Sequence, residues 1–494
     1  MPSMRARWSA VCLVILSLVV PALVVGQGTT GRILGRVADP SGAVLGNVKI
    51  TATNDATGVN RDTTSNESGD YVFPDLSVGT YSLTFDLSGF KKSVRHSINL
   101  DVNQVITLNM TMQLGAAQEV VDVTSEAPLV DTTSTQLGAV MGEQQVSNLP
   151  LNSRDTYQLL QLQPGVMSTV GSSNTLIYGS DSPGAVSVNG GRGRANNFSV
   201  NGGDANDQFV NLPTVQPSPD SIQEFRVLTN TFDAEYGRNS GSVVNVITKS
   251  GTNDFHGNVY EFFRNTVLNA NEFCLTGAQG VPCTKPQSNQ NQFGGTFGGP
   301  IVKNSTFFFV SYEGRRVRQG IRSQAVTVPT LMQRPSATQP YADFSDPATG
   351  DAFTGAISNP GILDSRPGCD QAVGFPGGIP TTSGPMSYAT LFPNGQIPLA
   401  CMDPTAVDLL QFVPANPNGG NLITTTPVSS IRGDQFTAKV DRRLNDKQNL
   451  SIYYYFNDDN TLNPFDNFEL TGANVPGFGG RLDERIQQWN IAHT

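Results

Sequence analysis

The chain has 494 residues, with 50 Gly, 31 Pro and 38% hydrophobic residues. That length exceeds one ordinary domain, and that composition favours many strands and turns over long helices. A formal net charge of −10 argues against nucleic-acid binding, which needs a basic face.

Residues 1–26 read as a secretory leader. Arg5 and Arg7 form its charged region, Val11 to Val20 its apolar run, and Pro21 with the small residues up to Gly26 a cleavage site. The apolar run is short for a membrane span, and Cys12 lies inside it rather than after it, so no lipoprotein anchor is read. Removing Arg5 and Arg7 takes the charge from −10 to −12. No later segment approaches a transmembrane helix, so any spanning structure must be a closed barrel, which satisfies its backbone hydrogen bonds internally.

Four cysteines remain after the leader: Cys274, Cys283, Cys369 and Cys401. In an exported protein, near pairs suggest local disulfides, here Cys274–Cys283 and Cys369–Cys401, with free or differently paired thiols as the alternative. No histidine lies near either pair, so no metal site is read there.

Residues 28–114 alternate apolar and polar in short runs. Val48, Ile50 and Ala52 form one such run, Tyr81, Leu83 and Phe85 another, and Ile106, Leu108, Met110 and Met112 a third. Turn clusters at Asp39-Pro40-Ser41-Gly42, Ser68-Gly69-Asp70 and Ser88-Gly89 separate them. This spacing predicts a small β-sandwich. Residues 115–132 read as a linker carrying one extended-prone stretch, Glu119-Val120-Val121-Asp122-Val123-Thr124, which could equally be a last sandwich strand.

Residues 133–252 predict a small α+β unit. Asn152 or Ser153 can cap a short helix ending at Leu162, before Pro164-Gly165. Phe225–Leu228 and Ser242–Thr248 read as strands. The Gly-x-Gly within Val188–Asp207 is not followed by a helical pattern, which excludes a phosphate loop.

From 253 to 494 a strand rhythm sets in. The expected strands are Phe255–Arg264, Asn291–Gly298, Ser305–Glu313, Asp434–Arg443, Asn449–Asn457 and Arg485–Thr494. Leu450, Ile452, Tyr454 and Phe456 alternate with Ser451, Tyr453, Tyr455 and Asn457, giving one apolar and one polar face. The connections alternate short and long, as in outer-membrane barrels with tight periplasmic turns and large outer loops. Six strands are fewer than the eight of the smallest usual barrel, so the barrel is expected to be incomplete here. The fold class is therefore mainly β: an N-terminal sandwich, a small α+β domain, and the start of a transmembrane antiparallel barrel.

Several stretches carry family resemblances. GRVADPSGAVLGNVKITATN and GDYVFPDLSVGTYSLTFDLSGF resemble the carboxypeptidase-regulatory-like (transthyretin-like) domain. Phe198–Phe209, Ser221–Gly241 and Ser242–Asn265 resemble the plug of TonB-dependent outer-membrane receptors. NQFGGTFGGPIVKNSTFFFVSYEGRR resembles the opening barrel hairpin of the Oar-like subgroup. The chain departs from that pattern at Thr229-Asn230, where the arginine-glycine pair usual after the acidic strand is replaced. The resemblance implies a 22-stranded barrel filled by a plug, outer-membrane lipid around it, an extracellular ligand, and import driven by a TonB-type inner-membrane energy transducer. It makes Glu119, Val120, Val121, Asp122, Val123 and Thr124 the candidate TonB box, a segment engaged by β-augmentation.

Enzymatic readings find little to stand on. The three histidines, His96, His256 and His493, fall in different units, and no HExxH or Gly-x-Ser-x-Gly occurs. A zinc peptidase needs about three converging ligands, and the sandwich offers His96 alone. Asp458-Asp459 and Asp204/Asp207 lack calcium-loop spacing and read as solvated loop residues. No cofactor is expected. The remaining readings are an energised receptor, a passive surface-binding or adhesion protein, and a secreted carbohydrate-processing enzyme with an accessory sandwich.

Overall fold

The computed structural model describes residues 30–115, 120–123, 136–151, 154–168, 185–209, 211–232, 236, 239–270, 285–321, 326–346, 355–376, 378–379, 384–416, 422–423, 427–445, 448–465 and 479–494. The leader over 1–26, Glu119, Thr124, Asn152, Ser153, Cys274 and Cys283 lie outside the described residues. Among the described residues, no helix is long and apolar enough to cross a membrane.

Eight strands build the sandwich: β1 (Thr30–Ala38), β2 (Lys49–Asn54), β3 (Asn60–Thr64), β4 (Asp70–Ser77), β5 (Gly79–Asp86), β6 (Lys92–Leu100), β7 (Val105–Thr107) and β8 (Met110–Thr111). A ninth, β9 (Val120–Val123), comes from the linker. One sheet runs β4-β1-β7, with β8 also on β1, and the other β3-β2-β5-β6-β9. The inward residues are those of the period-two pattern: Ile33, Ile50, Leu83 and Phe85 are all fully buried, each contributing about 1.5–3 kcal/mol of hydrophobic burial. Tyr71 packs edge-on against Phe85 and donates its hydroxyl to the Leu108 carbonyl at 2.7 Å, so the buried phenol is satisfied. The 39–42 turn forms because Asp39 Oδ1 accepts from the amides of Ser41 and Ala43, while Gly42 sits at φ 88°.

The middle unit contains β10 (Leu137–Gly142), β11 (Val166–Ser168), β12 (Val186–Val188), β13 (Asn197–Val200), β14 (Gly203–Asp204), β15 (Ile222–Asn230) and β16 (Val243–Thr248). Its main sheet is ordered β10-β15-β16-β13-β14. Every residue of β16 is buried, which explains why it is mostly apolar and shows no alternation. The expected helix is a 3₁₀ segment over Thr156–Leu162, capped by Asp155, whose side chain accepts from the Tyr157 amide. Asn152 or Ser153 is therefore not its cap: the neighbouring carboxylate is the stronger acceptor for the exposed amides.

The third unit is a six-stranded antiparallel sheet: β17 (His256–Arg264), β18 (Ser288–Val302), β19 (Thr306–Gly320), then β26 (Val428–Asn445), β27 (Gln448–Asn463) and β28 (Gly480–His493). Between β19 and β26 the described residues form six short strands: β20 (Val326–Thr327), β21 (Tyr341–Asp343), β22 (Ala356–Ile357), β23 (Met386–Ser387), β24 (Gln396–Pro398) and β25 (Leu422–Ile423). They pair as β20–β25, β21–β24 and β22–β23. The sheet strands are 14–18 residues from β26 onwards and 15 in β18 and β19, longer than periodicity predicts. The extra length is polar, as at Arg315↔Gly433 and Asp458↔Arg485, so ladder pairing continues past the region where hydropathy alternates.

Register makes the two faces explicit. Phe308, Val440, Ile452 and Ile491 form one cross-strand row, and Val310, Ala438, Tyr454 and Trp489 the next; Ile491 and Trp489 are 69% and 67% exposed. On the opposite face Phe309, Lys439 and Tyr453 align, as do Ser311, Thr437 and Tyr455, and all six are buried. The middle unit covers that second face. Phe307–Phe309 shows no hydropathy period because its covered face is apolar as well as its outward one.

Candidate functional site

The middle unit and the barrel wall share one hydrophobic core, in which Tyr453 and Tyr455 of β27 pack with Phe198, Phe225, Val244 and Val246. Around this small apolar contact the interface is polar. Tyr455 Oη donates to the Gln216 carbonyl at 3.2 Å, and Gln435 Nε2 donates to the same carbonyl at 2.7 Å and to Tyr455 Oη at 2.8 Å. Gln216 Nε2 donates to Asp155, whose carboxyl burial pushes up to about 6. Lys439 Nζ donates to the Thr248 carbonyl at 3.2 Å, and Gln488 Nε2 to the Asp204 carbonyl at 2.8 Å.

Arg154 is the strongest tie. It sits at φ 56°, a left-handed backbone. Its guanidinium bonds the Asp220 carboxylate of the middle unit, and its Nε lies 3.3 Å from Glu313 Oε2 on β19. Tyr260 Oη donates to Glu313 at 2.9 Å, and Asn258 Nδ2 to Asp220 at 2.7 Å. The cation also stands 4.7 Å and 4.1 Å from the ring centres of Tyr260 and Phe262. All three charged side chains are nearly buried, at 9%, 13% and 12% exposure, so both carboxylates depend on this one cation. None of these three residues stood out in the sequence, because single charges 66 and 159 positions apart carry no local pattern.

The sandwich is seated on both neighbours. Glu224 of β15 accepts from the Val102 amide with both oxygens, at 2.9 and 3.1 Å, while Arg226 donates to the Val102 carbonyl. Burial and the nearby Asp101 push the Glu224 carboxyl up to about 8, against the opposing effects of the Val102 amide and Arg226. Asn253 donates through its amide to Ala56 at 3.1 Å and through Nδ2 to Thr57 at 2.6 Å, fixing the sandwich to the start of the barrel. A cavity of about 620 Å³ lies at this three-way junction, lined among others by Arg61, Lys249, Asp441 and Tyr453.

Of the candidate TonB box, Val120–Val123 is β9. It runs parallel to β6, with Lys92 opposite Val120 and Arg95 opposite Val123. The segment is thus both linker and last strand of the sandwich sheet.

The chain between β19 and β26 folds around its own core of Leu363, Ile379, Leu391 and Phe392. Cys369 and Cys401 are disulfide-bonded across a separation of 32 residues. Arg334 donates to the carbonyls of Pro329, Leu410, Val413 and Pro414, tying the ends of this unit. The cysteine pair was its one sequence signal.

Among the described residues no group of three or more His, Cys, Asp or Glu converges as for a metal ion. Asp458 instead pairs with Arg485 at 2.9 Å and Asp459 with Arg315 at 3.3 Å.

Comparison with known proteins agrees with this geometry. Residues 247–494 match the model of the outer membrane beta barrel domain, and 32–113 that of the carboxypeptidase regulatory-like domain. A TonB-dependent transporter Oar from Myxococcus xanthus is 28% identical over 294 residues, covering 57% of this chain and 26% of that protein. The chain therefore spans about a quarter of the length of that curated relative. The ferric enterobactin receptor of Pseudomonas aeruginosa aligns at 13% identity and a TM-score of 0.37, over 72% of this chain and 38% of that one. The siderophore receptor PirA of Acinetobacter baumannii aligns at 13% identity and a TM-score of 0.30, over 71% and 43%. With an apolar outward face, a filled inner face and a family match over half its length, the chain belongs to the outer membrane beta barrel domain family and to the bacterial outer membrane.

Proposed function

We propose that this chain acts as a TonB-dependent outer-membrane receptor that takes up a scarce or bulky ligand through a plugged barrel. Its organisation on this reading is a leader over 1–26, a periplasmic sandwich over 28–114, a linker over 115–132, a plug over 133–252 and barrel wall from 253 to 494. The outer unit between β19 and β26 captures the ligand. A TonB-type transducer engages Glu119–Thr124, the plug shifts, and the ligand passes inward.

The observation that carries this reading is the nature of the plug contact. An immovable filler would share a broad apolar core with the wall. Here two tyrosines and the partly buried Ile486 supply the wall's apolar part, and hydrogen bonds and the single Arg154–Glu313 ion pair supply the rest. Polar contacts can be exchanged for water as the plug moves, which keeps the net cost of displacement modest. A purely passive surface-binding protein would have no use for a displaceable plug.

Deleting Glu119–Thr124 tests the proposal. Ligand uptake by cells should cease while binding to the cell surface persists. Uptake that survives the deletion would leave the passive reading standing instead.

A further inference from the structure

The sandwich touches the middle unit and the wall at two seats of different kind. At the first, Val102 is fully buried and Glu224 is 3% exposed. Glu224 accepts from the Val102 amide, Arg226 donates to the Val102 carbonyl, and Asn103 Nδ2 donates to the hydroxyl of buried Tyr236. At the second, the turn over 54–58 meets Asn253, which donates to the carbonyls of Ala56 and Thr57. Asn253 is itself fixed to the β18–β19 turn. Its Nδ2 donates to Asn304 Oδ1 at 2.7 Å, and its Oδ1 accepts from the Asn304 amide at 2.9 Å. Arg61 Nη2 stands 2.9 Å from the Asn449 side-chain amide, at the β26–β27 turn. Ala56 and Asn304 are exposed and Asn253 is half-buried. Residues beside each seat, Thr57 and Gln223, line the junction cavity, so the seats are separate footings.

We propose that the sandwich is a strap across the seam between plug and wall, which stays on the plug at Val102 and lets go of the wall at Asn253 when the plug moves. The inference rests on the plug displacement proposed above and adds what restrains it from the periplasmic side. While both seats hold, the plug cannot leave the wall. Parting the wall seat exchanges exposed hydrogen bonds for bonds to water, at little net cost. Parting the plug seat breaks bonds to a buried carboxyl and a guanidinium and returns apolar Val102 to water, so it is the costlier rupture. The opposing arrangement keeps the sandwich on the wall while the plug leaves it.

A reversible cross-link at the wall seat separates the two. A Cβ on Gly58 would stand 3.5 Å from Asn304 Cγ, so Gly58→Cys with Asn304→Cys brings two sulfurs within bonding reach. Both positions have positive φ, 67° and 59°, and any strain there is common to the closed and reduced forms. The readout is amide exchange at Phe225 and Val246 in the whole chain, in detergent micelles at pH 7. Closing the bond should slow their exchange fivefold or more relative to the reduced form of the same variant. Slowing of less than fivefold means that the plug opens without taking the sandwich along, and overturns the proposal. Wild-type chain in the same oxidant and reductant controls for Cys369–Cys401. Adding Glu224→Ala with Arg226→Ala cuts the plug seat, and the ratio should then fall below fivefold; a ratio that stays at fivefold or more overturns the strap, because the bond would act by another route. In wild-type chain, the Val102 amide should carry a higher protection factor than the Asn253 amide, and an equal or lower one overturns the assignment of the firm seat. Neither measurement needs a ligand or a transducer, so failure here leaves the uptake reading to the linker deletion.

Discussion

Arg154 offers the sharpest test of how the plug is held. Replacing it by Met keeps the side-chain stem but removes the cation between Asp220 and Glu313. Both carboxylates are nearly buried, at 13% and 12% exposure, so neither can recover full hydration. Removing one partner of a buried ion pair costs about 3–5 kcal/mol, because a charge is left uncompensated. At about 1.4 kcal/mol per decade, that is roughly two to three and a half orders of magnitude in the plug-opening equilibrium. The ring contacts to Tyr260 and Phe262 lie within the same loss, since the guanidinium makes them too. The assay is native-state amide exchange in detergent micelles, read at Phe225 of β15 and Val246 of β16. Their exchange should quicken a hundredfold or more in Arg154→Met, while amides of β19 and β26 stay protected. Adding Glu313→Gln removes one orphaned charge and should restore at least tenfold of that protection. Plug exchange within threefold of wild type, or no recovery in the double variant, would refute this account of the latch.

Two further outcomes follow from the same structure. Glu224 is an acid whose docked pKa, about 8, lies above its ordinary 4.5, so the sandwich seat is stabilised by the protonated form. That contribution is complete below about pH 4.5 and is lost as pH climbs through 8; limited proteolysis between sandwich and plug should therefore be slower at pH 5 than at pH 9, and Glu224→Gln should flatten the difference. The Cys369–Cys401 bond closes a loop of separation 32, worth about 3–4 kcal/mol to the outer unit by chain-entropy reasoning. Cys369→Ser with Cys401→Ser should therefore raise protease sensitivity within 355–416 and leave barrel assembly unchanged; equal resistance in both forms would show that the Leu363–Phe392 core suffices alone.

Much of this protein is legible along its chain. Alternation reports burial on one side, so the sandwich strands around Ile50 and Leu83 and the lipid-facing row of Ile452 and Tyr454 could be read from period two. It fails where both faces are apolar, as at Phe307–Phe309, whose Phe307 and Phe309 are buried while Phe308 belongs to the outward apolar row, and through β16, which is buried on both faces. It also fails where ladders run on through polar residues, which is why β26 and β27 exceed their expected lengths. What tertiary structure alone decided is how distant polar groups meet. Tyr455 and Gln216 are 239 residues apart, and Arg154 and Glu313 are 159 apart, yet they tie the middle unit to the barrel wall. A buried charge acquires meaning only from the partner that compensates it, and that partner is chosen by the fold. The linker strand shows the same division: its residues permit extension, but only the packed edge of β6 decides where it lies.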